Sequence, residues 1–174
     1  MREGHDTDVR VPATPGGPAR PPGGGRYRGP VETAVDGEGT PEGVVVDTNV
    51  FVAAAFNPGS ASARLVRALR SGELRLVWDD ATRDETRRVL ERIPGTRWGD
   101  VRPLYARAGR HVTRVDPAAF RDVVEDPADR PFAALARSAG AVLVSSDAHL
   151  LDTQARAGIV VRTPSDHLRR GARP

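Results

Sequence analysis

The chain has 174 residues, enough for one domain with a substantial core and too few for two large ones. It contains no Cys and all 26 basic residues are Arg, which excludes a disulfide framework, thiolate metal sites and lysine-dependent chemistry such as Schiff bases or the Gly-Lys-Ser/Thr phosphate loop. No apolar run is long enough to span a bilayer and the N-terminus has no signal-peptide core, so a cytoplasmic protein is expected.

Residues 1–42 differ in composition from the rest of the chain. They are rich in Pro and Gly, as in PATPGGPARPPGGGRYRGP, and this predicts a disordered arm. The arm carries five Arg against seven acidic residues, whereas the remainder carries 21 Arg against 16 acidic residues. The positive charge therefore belongs to the predicted domain, 43–170, and to a short basic tail, 171–174. Such a balance is compatible with binding a polyanion.

The first half of the predicted domain alternates β-branched runs with helical periodicity. Its predicted elements are a strand at 44–47 (VVVD), a helix through 51–56, a helix at 61–72, a strand at 74–78 (LRLVW) and a helix at 81–92. Ser60 or Ser62 can cap the second helix. Asp79 or Asp80 can cap the third.

The second half continues the alternation. Its predicted elements are a helix near 101–110, a short strand within 111–115, a capped helix at 126–140, a strand at 141–147, one or two helical turns at 148–153, a strand at 159–163 and a closing helical turn at 164–170. Strands and helices in this order predict a three-layer α/β/α fold around a mostly parallel sheet. Ligands of such folds bind outside the carboxyl ends of the strands.

Four acidic residues stand near predicted strand ends or helix starts: Asp47, Glu85, Asp129 and Asp147. Hard divalent cations such as Mg²⁺ or Mn²⁺ prefer carboxylate oxygens. Carboxylates crowded together without a cation repel and raise each other's pKa, so a cluster of this kind implies a bound metal. Two such ions can activate a water and stabilise the leaving oxygen in phosphodiester hydrolysis.

The aspartates also have an ordinary structural interpretation. Asp47 and Asp147 can simply cap the helices that follow them. Asp126, with proline next to it, can cap the helix at 126–140, and Asp129 would then occupy its third position, where an acid suits the helix dipole.

Glu85 has a similar alternative. On a helix it can be a solvated partner of Arg88 or Arg92. It nevertheless lies four residues before the apolar Val89, so it borders the buried face. Spacing alone leaves both interpretations of the acids open.

Two other carboxylate-based families fit less well. A haloacid-dehalogenase-type phosphatase needs Asp-x-Asp after the first strand, where this chain has Asp47-Thr48-Asn49. Phosphoryl-receiver domains also start from acids at strand ends. Both families use a lysine to neutralise phosphate, and this chain has none.

Together these motifs make the chain resemble the PIN-domain ribonucleases, most closely the VapC-like toxin components of toxin–antitoxin systems. The motifs are VVVDTNVFVAA, NPGSASARLVRALRSGELRLVW, DETRRVL, DPADRPFAALARSAGAVLVSSDAHLL and IVVRTPSDHL. They cover residues 43 to about 168. No single motif is specific, but four acidic motifs in this order and spacing form a strong combined signal. Two departures are Arg130-Pro131 after the third acid and the N-terminal arm.

The resemblance implies that Asp47, Glu85, Asp129 and Asp147 hold Mg²⁺ or Mn²⁺ and carry the catalysis. Asn49 and Ser146 match polar accessory positions that orient a carboxylate or water, and ordinary turn hydrogen bonding would explain them equally well. Asp126 is interpreted as a cap or as a residue behind the metal ligands.

The implied activity is metal-dependent cleavage of single-stranded RNA, leaving 5′-phosphate and 3′-hydroxyl ends. An antitoxin protein and, as in many relatives, a homodimer are implied partners. Arg64, Arg67 and Arg70 could contact phosphate, although a solvated helix face explains them as well. The alternatives are a catalytically silent PIN-like module that binds RNA or protein, and a housekeeping RNA-processing nuclease without an antitoxin.

Overall fold

The computed structural model describes residues 42–106, 110–113 and 116–171, so the predicted arm up to residue 41 and most of the predicted tail lie outside it. The strands are β1 (Glu42–Val46), β2 (Leu74–Trp78), β3 (Arg110–His111), β4 (Val142–Val144) and β5 (Val161–Arg162). The helices are α1 (Thr48–Phe56), α2 (Ala61–Ser71), α3 (Asp80–Arg92), α4 (Trp98–Ala106), α5 (Arg130–Ala139), α6 (Ala148–Ala157) and α7 (Pro164–Gly171), with a 3-10 turn at Pro117–Phe120.

The five described strands form one parallel sheet in the order β3-β2-β1-β4-β5. The chain adds strands to one side of β1 and then crosses to its other side with β4. The strand order therefore reverses between β1 and β4. Open parallel sheets bind ligands in the crevice at such a reversal. The sheet and its helices confirm the predicted three-layer α/β/α fold.

The central strand β1 is buried on both faces, which explains its unbroken run of valines. Val45 packs into one apolar cluster, with Phe120, Leu135 and Leu143 among its members. Val44 and Val46 point the other way, into a cluster on the opposite face of the sheet. Burial of both faces fixes the register of β1, and with it the position of the residue that follows.

The predicted caps on the first half of the domain are confirmed. The Ser60 hydroxyl accepts a hydrogen bond from the Ala63 amide at 3.1 Å and starts α2. Gly72 ends α2 with a φ of 84°, a conformation that glycine adopts without strain. Asp79 forms a capping box with Thr82 at the start of α3.

Several predicted boundaries were wrong. Helix α5 begins at Arg130, not at 127, because Pro131 has no amide hydrogen to donate to the carbonyl of residue 127. Asp126 is therefore not the cap of α5, and Asp129 precedes the helix instead of occupying its third position. Helix α4 begins at Trp98, earlier than predicted, and α6 is longer than two turns. No helix in the described ranges is long and apolar enough to span a membrane.

Candidate active site

Asp47 lies at the carboxyl end of β1, at the centre of the sheet. Its backbone amide donates to the Val144 carbonyl at 3.0 Å and so extends the β1–β4 pairing by one residue. Its side chain, only 2% exposed, then caps α1 by accepting from the Asn49 amide at 3.3 Å. The Asn49 side-chain nitrogen lies 3.5 Å from the other carboxylate oxygen. The capping interpretation of Asp47 is thus correct, and it leaves the carboxylate at the crevice.

A buried serine connects Asp47 to Asp147. The Ser145 hydroxyl donates to Oδ2 of Asp47 at 2.6 Å and accepts from the Asp147 amide at 3.0 Å. Ser145 is fully buried and its own amide donates to the Arg162 carbonyl at 3.0 Å. The serine therefore holds both aspartates at the ends of neighbouring strands.

The side chain of Ser146, predicted as an accessory residue, is exposed and makes no bond to the aspartates among the described contacts. The bridging hydroxyl belongs to Ser145, one residue earlier. The register explains the difference, because Val46 pairs with Val144 and the next residues in parallel register are Asp47 and Ser145. Aligning VVVD with VLVS, three apolar residues and then a polar one, would have been the signal in the sequence.

Asp147 caps α6 as Asp47 caps α1. One of its carboxylate oxygens accepts from the His149 amide at 2.7 Å, and the side chain is half-buried. The charge of Asp147 contributes to the pKa of Asp47. Burial raises the pKa of Asp47, the bonds from Ser145 and Asn49 lower it, and the Asp147 charge raises it again.

Asp129 completes a group of three aspartates from three different segments of the chain. It precedes α5 but makes no side-chain capping bond. The pKa of Asp129 is raised to about 7. Burial is the largest cause, the charges of Asp47, Asp126 and Asp147 add to it, and His149 opposes it. The carboxylates are close enough to disfavour each other's ionisation. We call Asp47, Asp129 and Asp147 the aspartate cluster.

The segment before Asp129 is held by local contacts. Asp126 is exposed and accepts from the Ala128 amide at 2.8 Å. The Arg130 guanidinium donates to the carbonyls of Val124 at 2.9 Å and Glu125 at 3.0 Å. Arg130, one of the departures noted in the sequence, therefore fixes the loop that presents Asp129.

Glu85 is not among the charges that raise the pKa of Asp47 or Asp129. Its side chain is 22% exposed and forms an ion pair with Arg88, the alternative considered from sequence. Its helix nevertheless packs beside Asp47, because the hydroxyls of Thr48 and Thr86 are 3.0 Å apart. Within the described ranges, no three Asp, Glu or His side chains converge tightly enough to form a ready-made metal site.

A cleft of about 220 Å³ lies beside Asp129 and is lined by Asp126, His149 and Asp152 among others. His149, which was not among the predicted site residues, thus faces the same recess as Asp129. Another cleft, of about 250 Å³, lies along α1 and α2 and away from the cluster. Of these two clefts, only the one beside Asp129 is lined by a member of the aspartate cluster.

The three arginines suggested as phosphate contacts lie on α2. Arg67 and Arg70 line the cleft along that helix, and their guanidinium groups donate to the carbonyls of Pro58 and Asp100, both at 3.1 Å. Arg64 is exposed. Arg67 and Arg70 therefore have structural partners as well as free donor capacity.

The sequence profile of the PIN domain matches residues 43–149, well over half of the chain. This chain belongs to the PIN-domain family. PIN domains are generally nucleases. No curated protein sequence is significantly similar to the chain.

Three solved structures match this chain at low sequence identity. PAE2754 from Pyrobaculum aerophilum has 18% identity and a TM-score of 0.50, covering 76% of this chain and 97% of its own. FitAcB from Neisseria gonorrhoeae has 17% identity and a TM-score of 0.47, covering 70% and 98%. FitAB bound to the IR36 DNA fragment has 17% identity and a TM-score of 0.46, covering 70% and 94%.

The donor chemistry of this PIN domain suits a divalent cation. PIN domains typically use such ions. The Asp147 charge raises the pKa of Asp47, and the charges of Asp47 and Asp147 raise that of Asp129, so a cation between these carboxylates would remove this repulsion. All three side chains offer carboxylate oxygens, which Mg²⁺ and Mn²⁺ prefer over softer donor atoms. The aspartate cluster therefore fits the metal in kind.

Ser145→Ala should lower the free energy of unfolding by about 2 kcal/mol, because the buried Asp47 carboxylate loses a charge-assisted hydrogen bond and the Asp147 amide loses its acceptor. Urea denaturation at neutral pH measures this change. Ser146→Ala is the matched control and should change stability by less than about 0.5 kcal/mol, because its side chain is exposed. Equal effects of the two substitutions would contradict the bridging role of Ser145.

Proposed function

We propose that this PIN domain is a metal-dependent endoribonuclease that hydrolyses phosphodiester bonds of single-stranded RNA. One observation carries the proposal: three aspartates from separate segments share an electrostatic site at the strand-order reversal, where α/β folds bind their ligands. A cluster of mutually repelling acids is costly for a fold to keep. Binding a cation is the chemical role that justifies that cost.

In this proposal Asp47, Asp129 and Asp147 hold Mg²⁺ or Mn²⁺, and Glu85 joins them once it leaves Arg88. When bound, such an ion lowers the pKa of a water molecule and stabilises charge on the leaving oxygen. Ser145 and Asn49 orient the Asp47 carboxylate, and the His149 amide orients that of Asp147. Hydrogen bonds of this kind orient the carboxylate oxygens that a cation would bind.

The choice of RNA as substrate rests on the resemblance and on charge. Residues 43–174 carry an excess of five arginines over acidic residues. Such a balance favours a polyanion. Aromatic residues make up only 5% of the chain, so base stacking is limited. We therefore expect contacts mainly to the RNA backbone and broad sequence tolerance.

The direct test is incubation of the purified chain with a 5′-labelled single-stranded RNA and millimolar Mn²⁺. We expect fragments that end in 3′-hydroxyl groups and downstream products that begin with 5′-phosphate. A DNA of the same sequence and a reaction with EDTA serve as controls. Absence of RNA cleavage with Mn²⁺, or cleavage that persists in EDTA, would contradict the proposal.

A second candidate function is a catalytically silent PIN module that binds RNA or a protein partner. The ion pair between Glu85 and Arg88 favours it, because one of the four acids is occupied by an internal partner. Mn²⁺ separates the two functions. The nuclease should melt at a higher temperature in millimolar Mn²⁺, whereas the silent module should not respond.

We also infer, from the resemblance alone, that the nuclease acts as the toxin of a toxin–antitoxin pair and forms a homodimer. A small gene overlapping upstream would identify the antitoxin. Growth arrest on expression, relieved by coexpression of that gene, tests the toxin role. Growth unaffected by the active enzyme would favour the housekeeping nuclease instead.

A further inference from the structure

Three buried hydroxyl groups, those of Thr48, Thr86 and Tyr105, form a chain that starts at the residue after Asp47 and passes through the helix that carries Glu85. The hydroxyl oxygens of Thr48 and Thr86 are 3.0 Å apart, and the Thr86 side chain in turn lowers the pKa of the neighbouring Tyr105 hydroxyl. Thr48 and Tyr105 are each 5% exposed, and Thr86 is fully buried. The three residues belong to α1, α3 and α4, so the chain of hydroxyls joins three helices.

Two members of this hydroxyl chain lie next to proposed metal ligands. Thr48 directly follows Asp47 and is the first residue of α1. Thr86 directly follows Glu85 within α3. The distance between the two threonine oxygens therefore fixes the backbone that carries Glu85 against the backbone that carries Asp47.

The far end of the hydroxyl chain is anchored among aromatic rings. The Tyr105 ring lies 5.6 Å from that of Trp78, 5.2 Å from that of Trp98 and 6.5 Å from that of Phe51. Burial raises the pKa of the Tyr105 hydroxyl, so it stays protonated, and the Thr86 side chain lowers that pKa only in part. A rigid cluster of rings thus holds the group on which Thr86 depends.

Packing alone does not require hydroxyl groups at these positions. Apolar residues of similar shape would fill the same space, and a buried pair of hydroxyls adds little net stability over such a replacement. Hydrogen-bonded groups do impose a distance and a direction, which apolar contacts do not. The hydroxyl chain is therefore suited to set a position.

We propose that Thr48, Thr86 and Tyr105 are positioning residues that place Glu85 for cation binding beside the aspartate cluster. The inference rests on the proposed metal-dependent nuclease. Among the described residues, the Glu85 side chain is bound only to the flexible side chain of Arg88, so its place relative to Asp47 depends on the backbone beneath it. Loss of the hydroxyl chain would let α3 shift and leave three ligands where four are needed.

The test separates positioning from stability. Thr86→Val leaves two buried hydroxyls without their partner and should lower the melting temperature. The triple variant Thr48→Val/Thr86→Val/Tyr105→Phe removes all three hydroxyls and should regain much of that loss. Its Mn²⁺ affinity, measured by calorimetric titration, should nevertheless stay about 10- to 100-fold below that of the wild type, as when groups behind metal ligands are removed.

Glu85→Gln shows whether the effect passes through Glu85. If it does, adding the triple substitution to Glu85→Gln should weaken Mn²⁺ binding no further. Thr96→Val is the matched control, because its hydroxyl binds the Leu90 and Ile93 carbonyls at the other end of α3. It should leave Mn²⁺ affinity unchanged.

Three outcomes overturn the inference. Recovery of Mn²⁺ affinity together with melting temperature in the triple variant would make the hydroxyls purely structural. Additive effects of the triple substitution and Glu85→Gln would show that the hydroxyls act elsewhere. A wild-type protein that neither binds Mn²⁺ nor cleaves RNA would remove the proposed function as well, whereas the first two outcomes leave that function standing.

Discussion

Asp47→Asn should reduce cleavage of single-stranded RNA at least about 100-fold. This exceeds the usual effect of removing a residue that only hydrogen-bonds a metal ligand. Asp47 is the most buried member of the aspartate cluster and lies at the strand-order reversal. The substitution removes the charge that a cation requires and keeps the shape of the side chain. Initial cleavage rates with Mn²⁺ measure the loss.

The same variant should fold at least as well as the wild type. Burial raises the pKa of Asp47, which means that the ionised carboxylate is disfavoured in the folded protein. The neutral amide of the variant would remove that cost, and its oxygen can still accept a bond from Ser145 or from the Asn49 amide. Thermal melting without cation should therefore show an unchanged or higher melting temperature, whereas Mn²⁺ should no longer raise it.

Asp116→Asn is the matched control for this prediction. Asp116 also accepts a hydrogen bond from the amide two residues later, at 2.9 Å, but it is exposed and caps the 3-10 turn. Its substitution should leave both cleavage and the Mn²⁺ response unchanged. Full activity in Asp47→Asn would remove the metal site from the proposal. Loss of activity accompanied by unfolding would point to a structural role.

Much of the fold could be predicted because its signals are local. The strand at 74–78 is bounded by Gly72 and by the Asp79 cap, so both ends are marked in the sequence. The valines of β1 are buried on both faces, which gives an unbroken apolar run. The start of α5 was predicted wrongly, because the pair Asp126-Pro127 suggested an earlier start. Pro131 lacks the amide hydrogen that a helix starting there would need, so α5 begins at Arg130.

The site was less predictable because it depends on pairing between distant segments. The choice between Ser145 and Ser146 is a matter of register between β1 and β4, nearly one hundred residues apart along the chain. The partner of Glu85 depends on which neighbour a flexible side chain selects, and Arg88, three residues later on the same helix, is close enough to compete with a cation. The Thr48–Thr86 contact has no sequence signal, because both threonines fit ordinary helix positions.

Without a divalent cation, the folded protein should become less stable as the pH rises from about 4 to about 7. The pKa of Asp129 is raised from an ordinary value of 3.8 to about 7, and that of Asp47 is raised as well. Between the ordinary pKa of Asp129, 3.8, and its raised value of about 7, the folded protein binds more protons than the unfolded chain, so each increase in pH favours unfolding. Asp129 is partly exposed, and after allowance for solvent screening we expect a loss of about 1 to 2 kcal/mol from this residue.

Millimolar Mn²⁺ should reverse this trend, because a cation stabilises the ionised carboxylates that the higher pH produces. Melting temperatures from about pH 5 to about pH 8, with and without Mn²⁺, measure both effects. Comparison with Asp129→Asn isolates the contribution of Asp129 to the pH dependence. Burial lowers the pKa of His167, so this residue makes the folded protein more stable as the pH rises, but it is present in both proteins and cancels in the comparison. Without cation, the melting temperature of Asp129→Asn should therefore rise relative to that of the wild type as the pH increases. With Mn²⁺, this difference in melting temperature should shrink or change sign. A difference that stays constant with pH would show that Asp129 is not held among the other carboxylates as the structure places it.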